Sequence, residues 1–111
     1  MKVVFVNSDR IGDGDETLGV KLMGSFLYSL ARAEDKPDAL LFMNSGVRLV
    51  CEGSAALADI SLLLADGVAV KSCGTCLDYY GLMDILAVGE VGNMNGTVAT
   101  MMAADSVVSI G

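Results

Sequence analysis

Short runs of β-branched and aliphatic residues alternate along this chain with longer stretches of helical periodicity, and that alternation limits the fold more than any other feature. Lys2 to Asn7 holds the unbroken run Val3-Val4-Phe5-Val6, which suits a strand buried on both faces. Gly12-Asp13-Gly14-Asp15 breaks it. Glu16 to Arg32 then predicts a helix whose acidic start suits the positive end of the dipole. Leu22, Met23, Phe26, Leu27 and Leu30 form its apolar stripe at i, i+4 and i+8 spacing. Beyond Pro37, Ala39 to Met43 reads as a second buried strand, ended by Asn44-Ser45-Gly46. Ser54 is the expected N-cap of a helix carrying Leu57, Ile60, Leu63 and Leu64, with Gly67 at its C′ position. Val68-Ala69-Val70 reads as a third strand running into Ser72-Cys73-Gly74-Thr75-Cys76, followed by a short helix through Tyr80. Ala87 to Val91 is the expected fourth strand. Asn95 or Thr97 starts a last helix whose Val98, Met101 and Met102 fit a core, as does Met94, and Val107 to Ile110 closes as a fifth strand.

Strands alternating with amphipathic helices mean right-handed βαβ units and a parallel sheet. The expected class is α/β, a three-layer α/β/α sandwich with a five-stranded parallel sheet. Its 111 residues fit one domain spanning 1–111. No linker, low-complexity tract or internal repeat divides them. Ligands in such sheets bind at the carboxyl ends of the strands. The loops expected there are Asn7 to Glu16, Asn44 to Val47, Cys73 to Cys76 and Val91 to Asn95, sharing one rim.

Composition removes several function classes. Fourteen acids against seven Lys and Arg give a net charge of −7, a field that repels a phosphate backbone, so no nucleic-acid partner is expected. The sequence has no histidine, which excludes Ser-His-Asp and Cys-His mechanisms and Cys/His zinc sites. No apolar run approaches the roughly 18–20 residues of a membrane helix, and Val3 to Val6 is too short for a signal-peptide core. No membrane partner is expected, and the expected compartment is the cytoplasm. Three cysteines do not make a secreted disulfide framework.

Cys73-Gly74-Thr75-Cys76 is the strongest chemical signal. A cysteine at a strand end, ahead of a helix, faces free backbone N–H groups that favour the nucleophilic thiolate. The spacing lets Cys76 attack a persulfide or mixed disulfide on Cys73. Buried small hydrophobes are the bland alternative. Zinc wants four ligands, and only Cys51 is left to join the pair, so no metal is assigned. A thioredoxin fold is disfavoured, because three strands precede the motif and the only proline, Pro37, lies upstream of it. Gly12-Asp13-Gly14 lacks the third glycine and lysine of a phosphate loop. A magnesium ion on Asp13, Asp15 and Glu16 competes there with an acidic turn that caps the helix. Tyr79 and Tyr80 shield the thiol or pack at an interface. On the same rim Asn44 offers its amide, and Gly46 lets backbone N–H groups approach a persulfide anion on Cys73. Asn93 and Met94 follow the fourth strand. Asp15 and Glu16 mainly cap the first helix at the margin.

With Ser72-Cys73-Gly74-Thr75-Cys76-Leu77-Asp78-Tyr79-Tyr80-Gly81-Leu82 in view, the chain resembles the DsrE/DsrF-like superfamily. Within it the likeness is to the DsrE-like C-terminal domain of YedF proteins, sulfurtransferase-like and linked to selenium metabolism. Gly14-Asp15-Glu16-Thr17-Leu18-Gly19, Asn44-Ser45-Gly46-Val47 and Val88-Gly89-Glu90-Val91-Gly92-Asn93-Met94 match in order, so the likeness covers nearly the whole chain. It implies a DsrEFH-like sandwich, a homo-oligomer (trimer or hexamer), and no cofactor. It also implies sulfur or selenium relay, with the persulfide on Cys73, eight residues before Gly81, and Cys76 as the mark of the YedF branch. A small sulfur carrier resembling TusA would be the donor or acceptor. The carrier-like N-terminal domain of full-length YedF is not part of this sequence. Two rival functions are an oligomeric ligand- or partner-binding module and a dithiol-disulfide oxidoreductase. A mean hydropathy of +0.57 in so small a chain independently suggests an apolar interface.

Overall fold

A computed structural model describes residues 1–111. Five parallel strands form one sheet in the order β4-β3-β2-β1-β5, with β1 at Lys2–Val6, β2 at Ala39–Phe42, β3 at Ala69–Cys73, β4 at Glu90–Gly92 and β5 at Ser106–Ile110. The helices are α1 (Glu16–Arg32), α2 (Leu57–Ala65), α3 (Gly74–Tyr79) and α4 (Met94–Ala103). The three connections from β1 to β4 all step the same way across the sheet, so right-handed crossovers put α1, α2 and α3 on one face. The last connection returns from the β4 edge to the β5 edge, which sends α4 to the opposite face. The fold is the expected three-layer sandwich, with unequal layers.

Register explains which side chains meet. Val4 lies between Leu40 and Val108, and Val6 between Phe42 and Ile110, all facing the α1 side. There Val4, Val6, Leu40, Phe42 and Val70 join Met23, Leu27, Ile60, Leu63 and Leu77 in a cluster of 18 buried residues. The α4 side buries Val3, Ala39 and Leu41 only. Burying a Leu- or Met-sized side chain contributes roughly 1.5–3 kcal/mol, so most of the hydrophobic stabilisation lies on the α1 side.

Helix α1 runs over the expected residues, but its buried line is Gly19, Met23, Leu27 and Ala31, with Leu22 turned outward. Asp15 caps it by accepting the Leu18 N–H at 2.9 Å, and Arg32 in its last turn reaches Asp59 of α2 at 2.8 Å. Ser54 does not cap α2: its Oγ accepts from the Ala56 N–H at 3.1 Å, closing a turn that delays the helix to Leu57. Gly67, at φ +93, follows α2 as expected. Helix α4 starts earlier than expected, at Met94, because Asn93 Oδ1 accepts the Gly96 N–H at 2.8 Å. It buries no residue fully. Val98 and Met102 are exposed and only Met101 leans on the sheet, so the expected methionine core is corrected to a mostly open helix. No helix is long and apolar enough to cross a membrane.

Candidate functional site

The carboxyl ends of β1, β2 and β3 share one edge, and the two cysteines of the motif differ sharply there. Cys73 is the last residue of β3 and the N-cap of α3. Its side chain is 7% exposed and belongs to the main core. Cys76 sits in the first turn of α3, half-buried, and reaches the surface. It lines two adjoining clefts. One, of about 580 Å³, is walled by Asn7, Ser8, Arg10 and Asp13 after β1 and by Met43 and Asn44 after β2. The other, of about 210 Å³, lies between Asn44, Thr75, Tyr79 and Tyr80. Cys73 lines neither. No disulfide joins the pair.

The Cys76 sulfur accepts a hydrogen bond from the backbone N–H of Asn44 at 3.1 Å. Asn44 is the one non-glycine residue with a left-handed backbone, at φ +52, a conformation that Asn tolerates better than most residues. Its Oδ1 accepts from the Tyr80 hydroxyl at 2.9 Å and from the Ser45 N–H at 2.8 Å. The Arg48 guanidinium covers the Tyr80 ring at 4.5 Å from its centroid, and Tyr79 meets that ring edge-on at 5.4 Å. Arg48 also faces Asp9 on the loop after β1, at 3.7 Å. Burial pushes the Cys76 thiol above the ordinary cysteine range, and the neighbouring Cys73 thiol pushes the same way. The Asn44 N–H pulls it back down, because it favours the thiolate.

Other expected site residues fall in different places. Gly46 is buried, and a Cβ there would lie 2.5 Å from the Val6 carbonyl oxygen. The close approach it allows is to β1, and its own N–H donates to the Met43 carbonyl. The Asn44 side-chain oxygen is an acceptor for the Tyr80 hydroxyl and the Ser45 N–H. Asn93 lies on the same sheet edge but caps α4, and it lines a separate cavity of about 160 Å³ with Lys71 and Thr97. Met94 is exposed at the start of α4 and lines none of these cavities. The fourth loop departs because α4 must run back over the other face. Asp15 and Glu16 cap and flank α1 outside the clefts, Glu16 pairing with Arg10 at 3.0 Å. No three acidic or cysteine side chains converge to hold a metal, so Asp13, Asp15 and Glu16 form no magnesium cradle. Cys51 is buried, and its thiol donates to the Val47 carbonyl at 3.2 Å, a packing role.

The residues missed were Asn7, Ser8, Arg10 and Arg48. The first three follow β1 directly, so the strand-end rule pointed at their loop without singling them out. Arg48 reaches the site only through the 3₁₀ segment Asn44–Val50, which no local signal announced.

No protein-family model and no curated protein sequence matches the chain. Solved structures do. The chain is similar to the ychN protein from E. coli at 22% identity and a TM-score of 0.73, over 98% of this chain and 97% of that one. It is similar to MTH1491 from Methanobacterium thermoautotrophicum, a protein of unknown function, at 23% identity and a TM-score of 0.67, over 97% of each chain. It is also similar to BT1422 from Bacteroides thetaiotaomicron, likewise of unknown function, at 14% identity and a TM-score of 0.64, over 98% and 94%. These likenesses show the fold and fit a DsrE-like sandwich.

Proposed function

We propose that this chain is a sulfur- or selenium-relay protein, sulfurtransferase-like and of the YedF type. In this reading a single DsrE-like domain over 1–111 carries a persulfide or selenosulfide on Cys73 of the Cys-Gly-Thr-Cys motif. One observation carries the reading: two free thiols three residues apart at the rim, the outer one opening on a cleft and hydrogen-bonded by a backbone amide. Thiolate attack on a donor persulfide R–S–SH forms a new S–S bond at the terminal sulfur and breaks the donor's S–S bond. The donor leaves as R–S⁻ with the bonding electrons. The exchange is redox-neutral and needs no cofactor. A small carrier resembling TusA is the proposed donor or acceptor, its persulfide end entering the cleft beside Cys76.

Mass spectrometry tests this after incubation with glutathione persulfide as the donor. A gain of about 32 Da on the motif peptide is expected for one added sulfur. A loss of about 2 Da would instead mark a disulfide oxidoreductase. An unchanged mass would leave a binding module and sink the relay.

We also propose a homo-oligomer, a trimer or hexamer. Val98 and Met102 on α4, Met94 at its start and Val107 on β5 are exposed, at 40% or more, and Val108 is exposed on the other face, apolar surface that assembly would cover. Light scattering at micromolar concentration should give a multiple of 11.5 kDa; the monomer mass alone would overturn assembly.

A further inference from the structure

We infer that Cys76 is the thiol through which sulfur enters the pair, and that Tyr80, acting through Asn44, is the positioning residue that holds it in register; this rests on the relay reading. The sequence pointed to Cys73 as the thiol that meets the partner. Its side chain is 7% exposed and lines neither cleft, whereas Cys76 lines both. A donor persulfide in the large cleft therefore meets Cys76 first.

The amide that serves Cys76 does not aim itself. Asn44 N–H points at the sulfur while the residue holds a left-handed backbone, which Asn adopts at small cost and side-chain bonds hold in place. Two bonds to its Oδ1 do this. The Ser45 N–H is local, while the Tyr80 hydroxyl comes from the end of α3, the helix that carries Cys76. Arg48 over the Tyr80 ring fixes the ring from one side. Donor amide and acceptor sulfur are thus tied together at both ends, through Asn44 and through α3.

The chemistry needs this amide twice. In the first step the Cys76 thiolate attacks the terminal sulfur of R–S–SH, the Cys76–S bond forms, the donor S–S bond breaks, and R–S⁻ leaves. In the second the Cys73 thiolate attacks that terminal sulfur, the Cys73–S bond forms and the Cys76–S bond breaks. Cys76 leaves as a thiolate and takes up the proton that Cys73 gave up. No net oxidation occurs. The negative sulfur of Cys76 is nucleophile in one step and leaving group in the other, and Asn44 N–H favours its charge in both. The sulfur ends on the sheltered Cys73, where water and stray thiols reach it least. The same N–H offsets the burial that raises the Cys76 thiol.

The test follows sulfur uptake from glutathione persulfide by wild type, Cys73→Ser and Cys76→Ser. It also records the pH profile of Cys76 alkylation by iodoacetamide in Cys73→Ser and in Cys73→Ser/Tyr80→Phe. Tyr80→Phe keeps the ring beneath Arg48 and removes only the hydroxyl. Cys73→Ser should load at a rate close to wild type, and Cys76→Ser at least about tenfold more slowly, as fits loss of the accessible thiolate. Tyr80→Phe should move the alkylation midpoint up by about one pH unit, a tenfold loss of thiolate below it. If wild type loads but Cys76→Ser loads as fast, or the midpoint does not move, this inference falls and the relay stands. If wild type takes up no sulfur, the relay reading itself falls.

Discussion

The two faces of the sheet have unequal depth. Beneath α1, α2 and α3 lies one cluster of 18 buried residues; beneath α4 lie three. Both faces read as apolar in sequence, since Val98, Met101 and Met102 are as hydrophobic as the stripe of α1. What separates them is topology: three crossovers fill one side, and a single returning helix spans the other. The deep side also holds Cys73 and Leu77, so the thiol pair is anchored in the better packed half. The shallow side leaves Val98 and Met102 facing solvent. Rigid positioning and available surface are divided between the faces.

The largest effect that would test this contrast is Leu27→Ala on the deep side. Leu27 is fully buried, and its truncation should cost about 2–5 kcal/mol of unfolding free energy by urea titration. Met101→Ala on the shallow side should cost under about half of that, because the site is partly open and can relax. Equal losses would abolish the distinction. Next comes Asn93→Ala, which removes the cap of α4 and should cost about 1 kcal/mol. Amide exchange should then rise in α4 while α1 keeps its protection; a general rise would mean the two layers melt as one.

A smaller effect concerns the thiols. Burial, then Cys73, raises Cys76, and burial, then the Glu52 carboxylate, raises Cys51. A raised pKa means less thiolate at neutral pH than in a free cysteine, so alkylation of both should keep climbing above the ordinary value of about 8.5. Cys76 should react first, being at the surface; labelling of Cys51 ahead of it in native protein would contradict the packing described. The smallest effect is Met102→Ser. At 81% exposure it should change monomer stability by no more than about 0.5 kcal/mol, yet weaken any assembly through α4. An unchanged assembly mass would direct the search for the interface elsewhere.

Most of the elements were legible because their causes are local. The acid-led span Glu16 to Arg32 and the β-branched run Val3 to Val6 specify their own conformations, and Gly67 marks its turn. The fourth strand came out shorter than Ala87 to Val91, since Val88 is drawn into the core and pairing begins only at Glu90. The site was less legible because its geometry is made by distant groups. Asn44 takes its backbone shape with help from Tyr80, thirty-six residues on, and Arg48 arrives through a 3₁₀ segment with no periodic signature. Motif spacing located the cysteines but not which of them faces outward, because that depends on where β3 ends against its neighbours.

The placement of β5 beside β1 has a consequence for the growing chain on the ribosome. Every residue of the deep cluster, up to Val88, is synthesised before α4 and β5. The emerging chain can therefore consolidate four strands and three helices while one side of β1 stays unpaired. During that interval Lys2 to Val6 presents a bare strand edge, the kind that recruits foreign strands. The final segment closes it in register, Lys2 to Ser106 through Val6 to Ile110, and the Asn7 N–H adds a further bond to the Ile110 carbonyl at 3.0 Å. The strand β5 is thus a latch on β1, and the nascent chain is most prone to mispairing in the interval before β5 docks.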